Sequence, residues 1–305
     1  MRRQNSTANR SIPRTRIEGI ASGIRVLMYH NIPAQKPAQV GPSFAVQASS
    51  FRRQLELLER WGYTSITFED LHLCLAGELV LPKKPVIMTF DDAYADVYEV
   101  AFPMLREFGM KAVVFVLADR SIRKNVWDND YGAVYPLVTD EQILEMKAAG
   151  FEIGSHTINH PRLTSLVEKD AREEIARSRI LLEILLNAPV HSISYPFGIV
   201  NERLKQMTVE AGYLIGCGSW SGPALFGRDL FEIRRILVAD TKNPVMVWWQ
   251  LQRFYLYYRW LVWTWKHRLF GTADGSERPM AGKKNDQSTE IETGVAVSRT
   301  SYMNH

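Results

Sequence analysis

Two acids, Asp91 and Asp92, stand together at the end of the apolar run Pro85 to Phe90, and two histidines, His156 and His160, follow a second short run, Phe151 to Gly154. Adjacent residues on an extended segment point to opposite sides, so one carboxylate can reach a metal ion while its neighbour faces a water. Imidazoles four residues apart fall on one face of a helical turn and can reach the same ion. One carboxylate and two imidazoles leave positions open for water and substrate, which is the pattern of a catalytic rather than a structural metal site. Each pair alone has a plainer explanation. The acids could cap a helix that starts soon afterwards, and the histidines could be structural. Their joint occurrence at two strand ends points to chemistry, because barrel enzymes place catalytic groups at the carboxyl ends of their strands.

The elements that must position these residues alternate between β-rich and helical runs from Ile24 onward. Strands are expected at Ile24 to Tyr29, Ser65 to Phe68, Pro85 to Phe90, Ala112 to Leu117, Phe151 to Gly154, Ser192 to Tyr195, Leu214 to Cys217 and Ile233 to Val238. The almost unbroken apolar run at 85–90 suits a sheet buried on both faces. Helices are expected over 50–61, with Phe51, Leu55 and Leu58 on one face, over 96–108 and 140–149, ended by Gly109 and Gly150, and over 167–187. Such repeated units make an α/β fold, and seven or eight strands fit a barrel better than an open sheet.

With 305 residues, 46% of them hydrophobic and 23% charged, the chain is long enough for one sizeable core. Its net charge of +4 resides in residues 1–23, where five arginines face the single acid Glu18. The remainder is balanced, which argues against a nucleic-acid partner, and the basic tail reads as solvated. That tail has no apolar run after its charged start, so a cytoplasmic location is expected, with contact at the inner membrane face as an extension. Cys74 and Cys217 form neither a disulfide framework nor a metal cluster.

Three motifs together give the chain a specific likeness. Thr89-Phe90-Asp91-Asp92, then Ser155-His156-Thr157-x-x-His160, then Tyr195-Pro196-Phe197-Gly198 resemble, in order and spacing, the polysaccharide deacetylase family with the NodB homology domain. The likeness covers about residues 24–240. It implies a distorted (β/α) barrel of about seven strands, holding one divalent ion, commonly zinc, on Asp92, His156 and His160, with Asp91 as general base. The family's usual acid, a histidine late in the domain, has no match after Arg235. Val26-Leu27-Met28-Tyr29-His30 instead resembles the leading strand of the circularly permuted branch that acts on poly-N-acetylglucosamine, which makes His30 the acid. Ser194 stands where the third motif often has an arginine. The run Phe231 to Ile236 resembles an arginine-bearing strand of the permuted branch, so Arg235 is expected to supply that charge, with Arg234 the competing choice. The tryptophan-bearing fourth motif of the family is not recognisable. By the same analogy Tyr195, Pro196 and Phe197 form the substrate and oxyanion side, the backbone N–H of Phe197 being the donor and Pro196 fixing the turn.

The resemblance implies hydrolysis of an N-acetyl group on an N-acetylated glycan to free amine and acetate. A hydrolase of a non-sugar amide and an inactive carbohydrate-binding protein are the competing readings. The domain plan is a basic tail over 1–23, the barrel over 24–243, an aromatic amphipathic helix over 244–270 and a polar, disordered tail over 271–305. Residues 248–270 hold five of the eight tryptophans, and Trp248, Leu251, Tyr255, Tyr258, Val262 and Trp265 recur at helical spacing. Gln250, Gln252, Arg253 and Arg259 interrupt the run too often for a membrane span. Packing on the barrel is the favoured reading, and seating at a membrane interface through the aromatic and basic residues is the other.

Overall fold

Pro85–Phe90 is the hub of the sheet, and all six of its residues are buried, as an apolar strand covered on both faces requires. In the computed structural model, residues 24–35, 44–127, 134–218 and 229–252 are described, with 254, 255, 257–259, 261, 262 and 265. The expected tails over 1–23 and 271–305 lie outside the described residues. Strand β1 (Arg25–Tyr29) runs along one edge of β3 (Pro85–Phe90), from Arg25 opposite Val86 to Tyr29 opposite Phe90. The other edge is shared: β2 (Thr64–Ser65) pairs with the start of β3, and β4 (Val113–Val116) pairs with its end. Beyond β4 come β5 (Glu152–Ser155), β6 (Ser192–Ser194) and β7 (Ile215–Cys217), and beyond β1 comes β8 (Ile236–Leu237). All these pairings are parallel. Ile233 bridges Cys217, and Ile236 pairs with Leu27, so one short segment borders both β7 and β1. The sheet therefore curls into the distorted (β/α) barrel expected from the sequence, with seven strands along its path and β2 beside it.

Helix α1 (Ala48–Arg60) buries Phe51, Leu55 and Leu58 together, as their spacing implied. The next element differs from expectation: the strand stops at Ser65, and α2 (Phe68–Ala76) starts at Phe68. Thr67 and Asp70 form a capping box, the Thr67 hydroxyl accepting from Asp70 N and the Asp70 carboxylate from Thr67 N. Phe68, Leu71 and Leu75 of α2 pack in one cluster with Val26, Ile87, Val113, Phe115 and Ile215 from the strands. The Glu69 N–H donates to Glu152 at the start of β5, which places α2 at the amino-terminal end of the strands.

The run 96–108 is helical but not uniform. A π-turn over Val97–Ala101 precedes α3 (Phe102–Glu107), which has Pro103 in its first turn. Pro103 has no N–H to give to the preceding turn, and the wider π-turn relieves the clash its ring would cause. Helix α4 (Asp140–Ala148) is capped by Thr139 with Gln142, and α5 (Glu168–Leu186) ends on Asn187 in the left-handed region. A further helix not anticipated from the sequence, α6 (Glu202–Glu210), begins where the Asn201 side chain accepts from Leu204 N. Helix α7 (Pro244–Gln250) packs against α1; the chain turns at 251–252, and helical residues resume at Tyr255.

Candidate active site

The register of the sheet brings the chemistry to one rim. Tyr29 lies opposite Phe90, Val116 opposite Ser155, and Ser194 opposite Cys217. His30, Asp91, His156 and Tyr195 each follow one of these strands, so all four leave it at its carboxyl end. That is the end remote from α2.

Asp91 is buried, and Arg235 grips it with a two-point fork: Nη1 donates to Oδ1 at 2.6 Å and Nη2 to Oδ2 at 2.7 Å. The Ser194 hydroxyl donates to Oδ2 at 3.1 Å and accepts from Arg235 Nη2 at 3.0 Å. Arg235 also donates to the Thr89 hydroxyl at 3.1 Å and to the Gly218 carbonyl at 3.1 Å, so a fully buried guanidinium is held along its whole edge. Burial opposes the charged carboxylate, yet the Arg235 charge and its hydrogen bonds outweigh it and hold Asp91 below the usual carboxylate range. Arg234 points elsewhere and pairs with Glu232. Of the two arginines weighed from the sequence, Arg235 is therefore the one on Asp91. Ser194 occupies the position where an arginine was missing and bonds to both members of the ion pair.

Asp92, His156 and His160 converge on a single point, their ligand atoms all within 4.8 Å of one another. Each histidine directs Nε2 at Asp92 Oδ1 from 3.2 Å. His156 Nδ1 lies 2.7 Å from the Ser194 carbonyl, which can only accept, so Nδ1 carries the proton and Nε2 is left as a ligand atom. Burial would raise the Asp92 pKa, but the His156 and His160 rings beside it hold it well below its usual value. Burial also works against a charged His156, and the neighbouring Asp92 and Asp91 carboxylates more than offset this, so its pKa is raised. The donor set thus fits a divalent ion: one hard oxygen, two imidazole nitrogens, and an outer bond that fixes one ring. A second acidic group, Glu202, Asp229 and Glu232, also lies close together, but Lys205 Nζ already occupies its centre and pairs with all three carboxylates.

The backbone here is strained in a concentrated way. Asp92, Ala93, Thr157, His160 and Phe197 have φ between +52° and +68°, a region that residues with a Cβ avoid. Six non-glycine residues are in this conformation among those described; five flank the site, and the sixth, Asn187, ends a helix.

His30 follows the first strand and comes before Asp91 in the chain, whereas the candidate metal ligands come after it. Its half-buried ring stacks on Phe44 at 5.0 Å. Within the third motif the residues separate in role. The Tyr195 side chain is fully buried, its one hydroxyl proton shared between the Thr208 hydroxyl and the Phe231 carbonyl, so the ring anchors the loop from inside the core. Pro196 is buried, and Phe197 turns back with its ring 4.9 Å from that of His160. Trp127, which sequence reasoning did not single out, stacks on His160 at 4.3 Å. No motif marks it; only the fold brings its ring onto His160.

Comparison with known proteins settles the family. A polysaccharide deacetylase model matches residues 79–216, which contain the acid pair, both histidines and the third motif. The Bacillus subtilis protein YxkH, named for that family, is 30% identical over 214 residues, covering 70% of this chain and 71% of its own. The chain belongs to the polysaccharide deacetylase family. A poly-β-1,6-N-acetyl-D-glucosamine N-deacetylase of Staphylococcus aureus is 23% identical over 208 residues, covering 65% of this chain and 69% of its own. Among solved structures, the Streptococcus pyogenes deacetylase PplD in complex with acetate superposes with a TM-score of 0.66 at 27% identity, over 75% of this chain and 98% of its own. This polysaccharide deacetylase is a hydrolase, and its Asp92, His156 and His160 are a group able to hold the ion on which the family depends.

Proposed function

We propose that the chain is a metal-dependent N-deacetylase that hydrolyses acetamido groups of an N-acetylhexosamine glycan to free amine and acetate. One observation carries this reading: an ionised carboxylate clamped by Arg235 lies next in sequence to a three-ligand group of ideal composition for zinc, at the same rim as His30. The likeness to the S. aureus poly-N-acetylglucosamine deacetylase supports an N-acetylated glycan as substrate.

Asp92, His156 and His160 hold the ion, which when bound polarises the amide carbonyl and makes water a better nucleophile. Asp91 takes the proton of the attacking water. Its Oδ1 accepts only one bond among the described residues, from Arg235, so a second lone pair remains for that proton. Arg235 and Ser194 keep the carboxylate from rotating away, so the base is ionised and aimed before substrate arrives. The Phe197 N–H, in a turn at positive φ, stabilises the oxyanion. His30 gives a proton to the departing amine from the strand next to Asp91, since an imidazole can hold and release a proton near neutral pH.

The test is incubation of the protein with N-acetylglucosamine oligomers and zinc, following acetate and new primary amine together. Equal amounts of both are expected. Amide hydrolysis confined to non-sugar substrates, or no amine from any oligomer, would overturn the reading.

A further inference from the structure

Asp96, with a buried carboxyl oxygen, has no part in the mechanism above. It stands just before the π-turn over Val97–Ala101, and its Oδ1 has no hydrogen-bond partner among the described residues. The Ile32 N–H donates to the same carboxyl group, and the Asn31 side chain lies beside it. Asn31 is 2% exposed, and its Oδ1 and Nδ2 are likewise buried without a partner. Three such atoms would be costly to leave open inside a protein. An acid beside an amide can satisfy them in either protonation state. With a proton on Asp96, its hydroxyl donates to Asn31 Oδ1; without one, Asn31 Nδ2 donates to the carboxylate. Both states occur near neutral pH, because burial, the largest cause, and the charge of Glu99 raise the Asp96 pKa to about 7 against relief from Ile32 and Asn31.

The chain that this pair holds is the one that carries His30. On one side Tyr29 is locked opposite Phe90, and its carbonyl accepts from Asp91 N. On the other side the Asn31 carbonyl accepts from Val46 N, and Ile32 is completely buried. With Asn31 turned inward, the neighbouring His30 is directed to the other side, where its half-buried ring stacks on Phe44. The buried Nδ1 of His30 has no partner among the described residues, so no hydrogen bond there fixes the aim of the ring. The stack on Phe44 and the backbone on either side must do so.

We propose that Asp96 and Asn31 form an internal latch that holds the turn over residues 30–32 and thereby aims His30 at the departing amine. The inference rests on the reading of His30 as the acid. Asp96 and Asn31 are positioning residues, acting through the backbone beside His30.

The zinc-loaded native chain and its variants would be compared on N-acetylglucosamine oligomers and on 4-nitrophenyl acetate. An amine leaves only with a proton, whereas 4-nitrophenolate leaves without one, so a misaimed acid slows the first reaction alone. Asp96→Ala and Asn31→Ala are expected to lower kcat on oligomers about tenfold or more with KM little changed, and to keep ester hydrolysis within about twofold. Asp96→Asn retains an oxygen for the Ile32 N–H and an N–H for Asn31 Oδ1, and is expected to stay close to native on both substrates. A second readout needs no substrate. The His30 ring signals in NMR spectra of the same samples, assigned by their loss in His30→Gln, should shift in Asp96→Ala and Asn31→Ala and hold in Asp96→Asn. Native oligomer turnover in both alanine variants, an equal loss on both substrates, or His30 signals that do not move would each overturn the latch. A native chain that cleaves the ester yet frees no amine would contradict the glycan reading instead, and the His30 signals would still decide for or against the latch.

Discussion

Asp91 owes its chemistry to a side chain almost half the sequence away. A buried aspartate left alone would take up a proton, and the Arg235 fork is the main influence that keeps it charged. Arg235→Lys preserves the charge but cannot make both bonds, so turnover should fall about 10- to 100-fold while bound zinc stays at one equivalent, read by kinetics and metal analysis of the same sample. Asp91→Asn should likewise retain the ion but lose about 10²- to 10⁴-fold in turnover, whereas His156→Ala should lose the ion as well. If Asp91→Asn kept near-native turnover, another group would have to be the base. The acid pair and the histidine pair were legible from the sequence because residue type and position at strand ends already restrict their use. Ser194 was legible only as a departure, since its worth depends on Arg235 arriving from the last strand. The choice between Arg234 and Arg235 did have a signal: Ile233 and Arg235 share one side of an extended segment, and both are completely buried.

At the scale of elements, the strands were readable where apolar runs are long, and misread where capping chemistry interrupts them. The alternation of Ser65, Ile66, Thr67 and Phe68 suits a strand, but Thr67 followed three residues later by Asp70 is a helix start, and the capping box prevails. Thr67→Ala should lower stability by about 1 kcal/mol, seen as an earlier urea midpoint with an unchanged slope. Tight contact between strands imposes a second requirement. A Cβ on Gly154 would stand 2.5 Å from the Phe115 ring and 2.7 Å from Ser192 Oγ, so Gly154→Ala should cost about 1–3 kcal/mol by the same measurement. The sequence places Gly154 at a strand end but does not show the crowding, which comes from neighbouring strands. The same holds for the strained turns at Asp92, His160 and Phe197, which only the closed rim can enforce.

Across the whole molecule, folding also sets a pH dependence away from the proposed metal ligands. Burial, as the largest cause, raises the pKa of Asp96 from 3.8 to about 7, against partial relief from the Ile32 N–H. Between those two values the folded state holds a proton that the unfolded chain has released, so this group makes stability fall as pH rises from about 4 to about 7. Asp96→Asn should remove that slope and make the variant more stable than the native chain at pH 8 by about 1 kcal/mol or more, with little difference near pH 4, as read from denaturant unfolding at each pH. The barrel itself was legible as an architecture, since parallel buried strands with intervening helices leave few alternatives. How its last segment borders both β7 and β1 was not, because that depends on register. The most direct test of the account as a whole is to strip the protein with a chelator, titrate zinc back, and record acetate released from N-acetylglucosamine oligomers. Release should be absent without the ion and rise linearly to a plateau at one equivalent. Release by the stripped protein at the full rate, or none at any loading, would contradict it.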